Sequence, residues 1–351
     1  MTDERPFPGR RRRRPSPAGA GVLPVAVDAM GGDKAPSEIV AGARQAAAEL
    51  GIPVLLVGDP ARLGDTGDLA VLAASQVIEM DEDPAQGVRR KKDSSLVRAA
   101  EAVRDGRASA MVSAGNTGAA MASALFRMGR LPGVARPAIA TPIPVPGRRS
   151  PTVLLDAGAN AECLPPWLVQ FAQMGSAFAR QRYGLASPRV GLLSIGEEAT
   201  KGNSLVKEAH ALLAAGVAGP HVRFIGNVEG RDVMTDAVDV VVTDGFTGNV
   251  VLKTLEGAMK FAFGAVLAAL SADDKAKAAS EALLPALLPL AAELDPDTYG
   301  GAMLLGVDGV CIISHGSSSA QAVFNAVNVA HHAVDEDLVG RLRTAVAAGH
   351  R

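Results

Sequence analysis

The stretch AVDVVVTDGFTGN, residues 237–249, decides the fold. Its first half is apolar and β-branched almost throughout, the pattern of a strand that helices cover on both faces. Asp244, Gly245 and Gly248 then impose a turn, and a segment with helical periodicity follows. The same strand, Gly-rich turn and helix succession recurs at VDAMGGD (27–33), VSAGNTGAAM (112–121), LLDAGAN (154–160), LLSIGEEATKGN (192–203) and IISHGSS (312–318). This predicts an α/β fold, an open and mostly parallel sheet with helices on both faces, as a single catalytic domain over 22–351. With all strands pointing one way, the six turns should gather at one carboxyl edge, where open α/β sheets bind ligands.

Composition narrows the function. The chain has 351 residues, enough for one large domain or two smaller ones, and 48% hydrophobic against 21% charged residues excludes a disordered or collagenous body. Nine Phe, two Tyr and one Trp offer few stacking platforms, and 35 Lys+Arg against 37 Asp+Glu give no basic balance, so nucleic acid is not an expected partner. Residues 1–21 are different: Arg5 and Arg10 to Arg14 stand among four prolines with almost no core-forming side chains, which predicts a disordered tail. VLPVAVDAMGGD runs directly into a strand and turn, so no secretory leader is expected. Cys163 and Cys311 have neither metal-ligand nor framework spacing, which suits buried thiols in a reducing cytoplasm.

One region breaks the alternation. From about 255 to 298 no strand is evident: KFAFGAVLAAL, the charged spacer SADDKAKAASE and ALLPALLPLAAEL read as a helical insertion. Its apolar runs fall well short of the roughly 20 residues that cross a bilayer. Pro285 and Pro289 are expected to prevent one regular long helix. Leu283, Leu284, Leu287 and Leu288 concentrate apolar area that suits a membrane-surface contact, with dimer packing as the alternative.

The turns carry the chemistry. Backbone N–H groups at Gly-rich helix starts form ready anion sites, and SAGNTGAAM fits best: Gly115 and Gly118 allow close approach while Asn116 and Thr117 add donors. No GxGxxG fingerprint with its distant acid and no GxxxxGK[ST] is present, which weakens dinucleotide and P-loop readings. Lys201 and Asn249 each sit in a polar turn after an apolar strand, and are placed to meet a phosphate or a developing oxyanion. His315 is a candidate general base or phosphate donor. Asp28, Asp33, Asp156 and Asp244 end strands, where turn and cap roles are usual, and no metal-ligand set is recognisable. The run Arg89, Arg90, Lys91 and Lys92 is a basic loop suited to an acidic partner or a phosphate. Without a GxSxG elbow, and with no His near Cys163, a covalent nucleophile has little support.

VDAMGGD, RRKKDSS, SAGNTGA, VGLLSIGEE with KGN, IGNVEGRD, VVTDGFTGNVVLKTLEG, YGGAMLLG and SHGSS, in this order over about 23–330, closely resemble the PlsX family of bacterial phosphate acyltransferases. The resemblance implies transfer of a long-chain fatty acyl group from acyl carrier protein to inorganic phosphate, giving acyl phosphate for phospholipid synthesis, with no cofactor. It implies a dimeric α/β fold related to the phosphotransacetylase and isocitrate dehydrogenase class. It also implies a cytoplasmic enzyme at the inner face of the cell membrane, passing its product to a membrane-bound glycerol-3-phosphate acyltransferase. On that mechanism Lys201 and Asn249 stabilise the oxyanion. Gly31, Gly32, Asp33, Gly115 to Gly118, Asn160, Asp244, Thr247 and His315 bind phosphate or the acyl end, and Arg89 to Lys92 dock the carrier. The alternatives are a short-chain phosphotransacetylase using coenzyme A and a non-catalytic scaffold for lipid synthesis.

Overall fold

The structure, a computed structural model, describes residues 22–294 and 296–348. The Arg/Pro-rich tail expected over 1–21 lies outside the described residues. The strands are β1 (Val25–Asp28), β2 (Val54–Gly58), β3 (Ala70–Ala73), β4 (Ala110–Ser113), β5 (Ala138–Ile143), β6 (Thr152–Leu155), β7 (Arg189–Leu193), β8 (Arg223–Val228), β9 (Val240–Val242), β10 (Ala302–Leu305) and β11 (Val310–Ile313). The α-helices are α1 (Ser37–Leu50), α2 (Pro84–Arg90), α3 (Ser95–Arg104), α4 (Thr117–Ser123), α5 (Pro165–Tyr183), α6 (Ser204–Ala214), α7 (Gly245–Leu270), α8 (Asp274–Leu294), α9 (Ala320–Asp335) and α10 (Leu338–Ala348). All eleven strands join one sheet in the order β3-β2-β1-β4-β11-β10-β5-β6-β9-β7-β8.

Side chains alternate across the sheet. Val25, Val27, Ala110, Val112, Val153 and Leu155 face a core closed by α1, α5, α6, α9 and α10. Ala26, Met111 and Leu154 face a second core, closed by α2, α3, α4 and α7. The fully buried strands VAVD, AMVS, TVLL and VCII therefore read as near-continuous apolar runs, because both of their faces are dry. Several helices begin at the side-chain caps their turns supply: Ser94 accepts from the Val97 amide, Asn203 from Val206 and Ser319 from Ala322.

The sheet is mostly parallel, but three antiparallel pairings across its middle leave its two halves running in opposite directions. Strand β10 is antiparallel to both β11 and β5, and β5 is antiparallel to β6. Strands β1, β2, β3, β4 and β11 run one way, whereas β6, β7, β8 and β9 run the other. The expectation that all six turns share one edge is therefore corrected. The turns at 27–33, 112–121 and 312–318 lie at one edge, and those at 154–160, 192–203 and 241–249 at the opposite one.

Helix α7 bridges these edges. It begins after β9, and by Glu256 it has reached the turn after β11, where His315 Nε2 is 3.0 Å from Glu256 Oε1. Past Lys260 the helix leaves the body: every residue from Phe261 to Ala269 is exposed. Helix α8 returns as one continuous helix through Pro285 and Pro289, contrary to the expected break. Each proline removes only one amide donor, so the helix continues past both.

Candidate active site

At the β1/β4/β11 edge the chain is closed on itself. Asp28 is buried and accepts from Ser113 Oγ at 2.7 Å and from the Met30 amide at 3.3 Å. Desolvation pushes its carboxyl above the usual carboxylate range, against those hydrogen bonds. Gly31 crosses Gly115 so closely that a β-carbon on Gly31 would lie 2.5 Å from Asp28 Oδ2 and 2.8 Å from the Gly115 backbone. Gly32 has φ +114°, and the Asp33 amide donates to Gly316 O at 2.8 Å, joining the first turn to the last. Asn116 spends its whole side chain: Oδ1 caps α4 through the Ala119 amide, and Nδ2 is within hydrogen-bond distance of the carbonyls of Glu79, Met80 and Glu82, at 3.0–3.3 Å. It holds the turn instead of presenting a donor. Gly118 packs on Pro84 of α2, and Thr117 is left facing the cavity described below.

The β6/β9/β7 edge is arranged differently. Asp156 is fully buried and gathers the amides of Ile139, Gly158, Ala159 and Asn160 together with Asn160 Nδ2, which fixes the turn. Asn160 Nδ2 also donates to Pro137 O at 2.8 Å. Asp244 caps α7, accepting from the Thr247 amide and from Thr247 Oγ1, both at 2.8 Å. A β-carbon on Gly248 would overlap the Asp156 carbonyl, so α7 starts pressed against the neighbouring turn. Asn249 then packs beside Gly158, and its amide makes no hydrogen bond among the described residues. Lys201 lies in the turn after β7, the strand next to β9; it is exposed, with its stem on Gly196 and no side-chain partner among the described residues. Lys201 in its turn and Asn249 in the second turn of α7 thus stand at one edge, with their polar ends unpartnered among the described residues.

Between α7 and the sheet runs a cavity of about 290 Å³. Ile139, Thr141 and Ile143, alternate residues of β5, form its floor, and Asn249, Leu252, Lys253, Glu256 and Met259 of α7 form its roof. It touches the first edge through Thr117, His315 and Gly316 and the second through Ala157 and Asn249. Thr141 Oγ1 and Ser314 Oγ are buried without a partner among the described residues, so this mostly apolar trough carries isolated polar points. Glu256 is clamped by His315 and by Lys253 Nζ at 2.8 Å. Desolvation pushes its carboxyl up, but His315 close to Oε1 and the hydrogen bond from Lys253 to Oε2 outweigh that and hold it down at about 2. A larger cavity of about 520 Å³ lies between α5, α10 and the loop before β8, away from all six turns.

The basic run divides. Lys91 is tied to Glu82 at 2.6 Å and to the Val77 carbonyl at 2.7 Å, whereas Arg89, Arg90 and Lys92 are exposed and make no ion pair among the described residues. Cys311 is buried and Cys163 partly so; burial pushes both thiols up to about 12, which leaves neither poised as a nucleophile. No cluster of three or more His, Cys, Asp or Glu suited to a metal occurs among the described residues. In the insertion Leu283 is exposed and Leu287 half-buried, while the side chains of Leu284 and Leu288 are outside the described set.

Residues 23–341 match the family model described as "Fatty acid synthesis protein". Proteins named "Phosphate acyltransferase" are similar over nearly the whole chain. That of Pelotomaculum thermopropionicum is 49% identical over 332 residues, covering 92% of this chain and 95% of its own. That of Nostoc punctiforme is 45% identical over 327 residues, covering 91% and 95%. The chain belongs to the phosphate acyltransferase family. Phosphate acyltransferases share their fold with phosphotransacetylases. The Streptococcus pyogenes phosphotransacetylase superposes with TM-score 0.61 at 15% identity, covering 90% of this chain and 94% of its own. A branched-chain phosphotransacylase from Enterococcus faecalis superposes with TM-score 0.57 at 15% identity, covering 89% and 99%. For this phosphate acyltransferase, sequence reasoning missed Lys253 and Glu256. Their spacing of four and seven residues from Asn249 was the available signal, since positions 249, 253 and 256 fall on one helical face.

Proposed function

We propose that this chain transfers a long-chain fatty acyl group from the thioester of acyl carrier protein to inorganic phosphate, giving acyl phosphate for phospholipid synthesis. The observation that carries the reading is the apolar trough that has Asn249 at one end, within a chain of this family; Lys201 stands outside its lining, on the turn after β7, the strand next to β9. The acyl chain lies over Ile139 and Ile143 beneath α7, with its thioester carbonyl near Asn249. Lys201 and Asn249 meet the oxyanion that develops as phosphate attacks, and desolvated phosphate is itself a competent nucleophile once positioned.

The carrier protein docks on Arg89, Arg90 and Lys92. The support is their exposure and their continuity with the 79–82 segment, whose Met80 lines the trough. The enzyme works as a homodimer at the inner face of the cell membrane and delivers its product to a membrane-bound glycerol-3-phosphate acyltransferase. No single helix among the described residues is long and apolar enough to cross a bilayer, yet Phe261, Val266 and Leu267 of α7 and Leu283 of α8 are about half exposed or more.

The decisive experiment mixes purified protein with acyl-carrier-protein thioester and phosphate and follows acyl phosphate. Preference for acyl-coenzyme A with short chains would replace the reading by the phosphotransacetylase one, and no phosphate-dependent thiol release would leave the scaffold. Phe261→Asp with Leu267→Asp should abolish sedimentation with anionic phospholipid vesicles while turnover on soluble thioester persists. Retained sedimentation would overturn the membrane contact.

A further inference from the structure

Acyl transfer from a thioester to monohydrogen phosphate requires more than charge stabilisation. As the phosphate oxygen bonds to the carbonyl carbon and the carbon–sulfur bond breaks, the proton on phosphate has to finish on sulfur. A proton retained on phosphate favours expulsion of phosphate and return to reactants. Moved to sulfur, it favours departure of the thiol. A group that makes this transfer must line the cavity, keep one nitrogen or oxygen free and be held in orientation by a second group.

His315 meets these conditions. It projects from the turn after β11 into the trough's lining, together with Thr117, Asn249 and Glu256. Its Nε2 is 3.0 Å from Glu256 Oε1, while its Nδ1 has no partner among the described residues. Glu256 is itself fixed, because Lys253 Nζ holds its other oxygen at 2.8 Å. Glu256 Oε1 is buried and accepts no hydrogen bond among the described residues, so its charge, 3.0 Å from Nε2, favours the tautomer with the proton on that nitrogen; the neutral ring then presents the Nδ1 lone pair as a base, and the carboxylate stabilises the imidazolium that forms. The other acid near this turn is Asp33, whose carboxylate lies 3.3 Å from where a β-carbon on Gly316 would stand. Asp33 is exposed and its amide ties the turn to β1, so the contact that orients the ring comes from α7.

We propose that His315, oriented by Glu256, is the proton shuttle of the transfer: Nδ1 accepts the proton of monohydrogen phosphate as the oxygen–carbon bond forms and delivers it to the departing sulfur as the carbon–sulfur bond breaks. The products are acyl phosphate dianion and free thiol, and the histidine returns to its neutral form. Glu256 is a positioning residue that touches neither substrate. The assignment rests on the acyl-transfer reading and adds to it a role that Lys201 and Asn249, as oxyanion partners, do not fill.

The test varies the leaving group. An alkyl thioester, as on the carrier's arm, needs its sulfur protonated; an aryl thioester of an acidic thiophenol does not. His315→Gln should lower kcat for the alkyl thioester by about 10²-fold or more, the scale of a lost acid–base group, yet by less than about tenfold for the aryl thioester. Glu256→Gln should follow the same pattern with a smaller loss, and added imidazole should restore part of the activity of His315→Ala. Unchanged melting temperatures exclude unfolding, and Lys201→Ala, which removes charge stabilisation, should lose activity on both esters alike. Equal losses for the two esters in His315→Gln, or none in either, overturn the shuttle while leaving acyl transfer standing. A wild-type protein that makes no acyl phosphate from either ester overturns both.

Discussion

The two edges of the sheet carry turns of nearly the same composition, yet they are built for different work. At the β1/β4/β11 edge the polar groups other than Thr117 and His315, which face the trough, are spent internally: Asn116 is committed to three carbonyls and one amide, Gly31 is sealed against Gly115, and Asp28 is bound by Ser113. At the β6/β9/β7 edge Asp156 and Asp244 carry the internal bonding and leave Lys201 and Asn249 unpartnered. A Gly-rich turn is thus a backbone device first. It becomes a chemical site only where a neighbouring carboxylate relieves its other side chains of structural duty.

That contrast can be broken most directly at Lys201. Lys201→Ala should lower kcat by about 10²-fold or more, as for loss of an oxyanion donor, with an unchanged melting temperature. Steady-state turnover beside a thermal melt checks it, and near-wild-type turnover would remove Lys201 from the chemistry. Asn116→Ala should do the reverse: loss of a helix cap and of the clamp on the 79–82 segment should cost about 2 kcal/mol or more of stability, read from urea unfolding, with kcat at low temperature close to wild type. A large kcat loss in a fully folded Asn116 variant would bring the 112–121 turn into the chemistry beside His315.

An ionic anchor at the amino ends of β7 and β9, opposite the second edge, sharpens the comparison. Asp239, buried at the start of β9, bonds Arg148 at 2.6 Å and Arg189 at 3.0 Å. Desolvation pushes its carboxyl up, but the arginine hydrogen bonds prevail and hold it at about 2, well below the usual aspartate range. A carboxyl depressed on folding stabilises the protein above its unfolded pKa, and this contribution is lost as pH falls through the folded one. About 2 kcal/mol should therefore disappear between roughly pH 4 and pH 2. Urea unfolding across that window should show the loss in wild type and a flatter dependence in Asp239→Asn. The smallest effect is expected from deleting residues 1–21, which precede β1: turnover on soluble thioester should not change, and a clear loss would make the tail part of the site.

Much of the fold was legible in the chain because its signals are local. An apolar strand, a Gly-rich turn and a capped helix are each written within about a dozen residues, and all six turns stand after strands as their spacing implied. Lys201 and Asn249 were legible as candidates, since each is a polar residue with no side-chain bond of its own among the described residues. Glu256 and Lys253 were not, because a Lys–Glu pair on a helix looks like any solvated charge pair until the partner from another strand is known. The prolines of α8 misled for a related reason: a helix breaker is judged from one residue, whereas the helix persists through all its other bonds.

By itself, then, the sequence determined the α/β class, the family, the positions of the turns and the free polar residues within them. All of these follow from side-chain type and short-range spacing. Only the tertiary structure decided the direction of each strand, for pairing across β11, β10, β5 and β6 joins residues up to about 170 positions apart and no local pattern states its sign. That reversal puts the two sets of turns on opposite edges. It leaves α7, crossing the face between them, to bring Asn249 of one and His315 of the other to a single cavity.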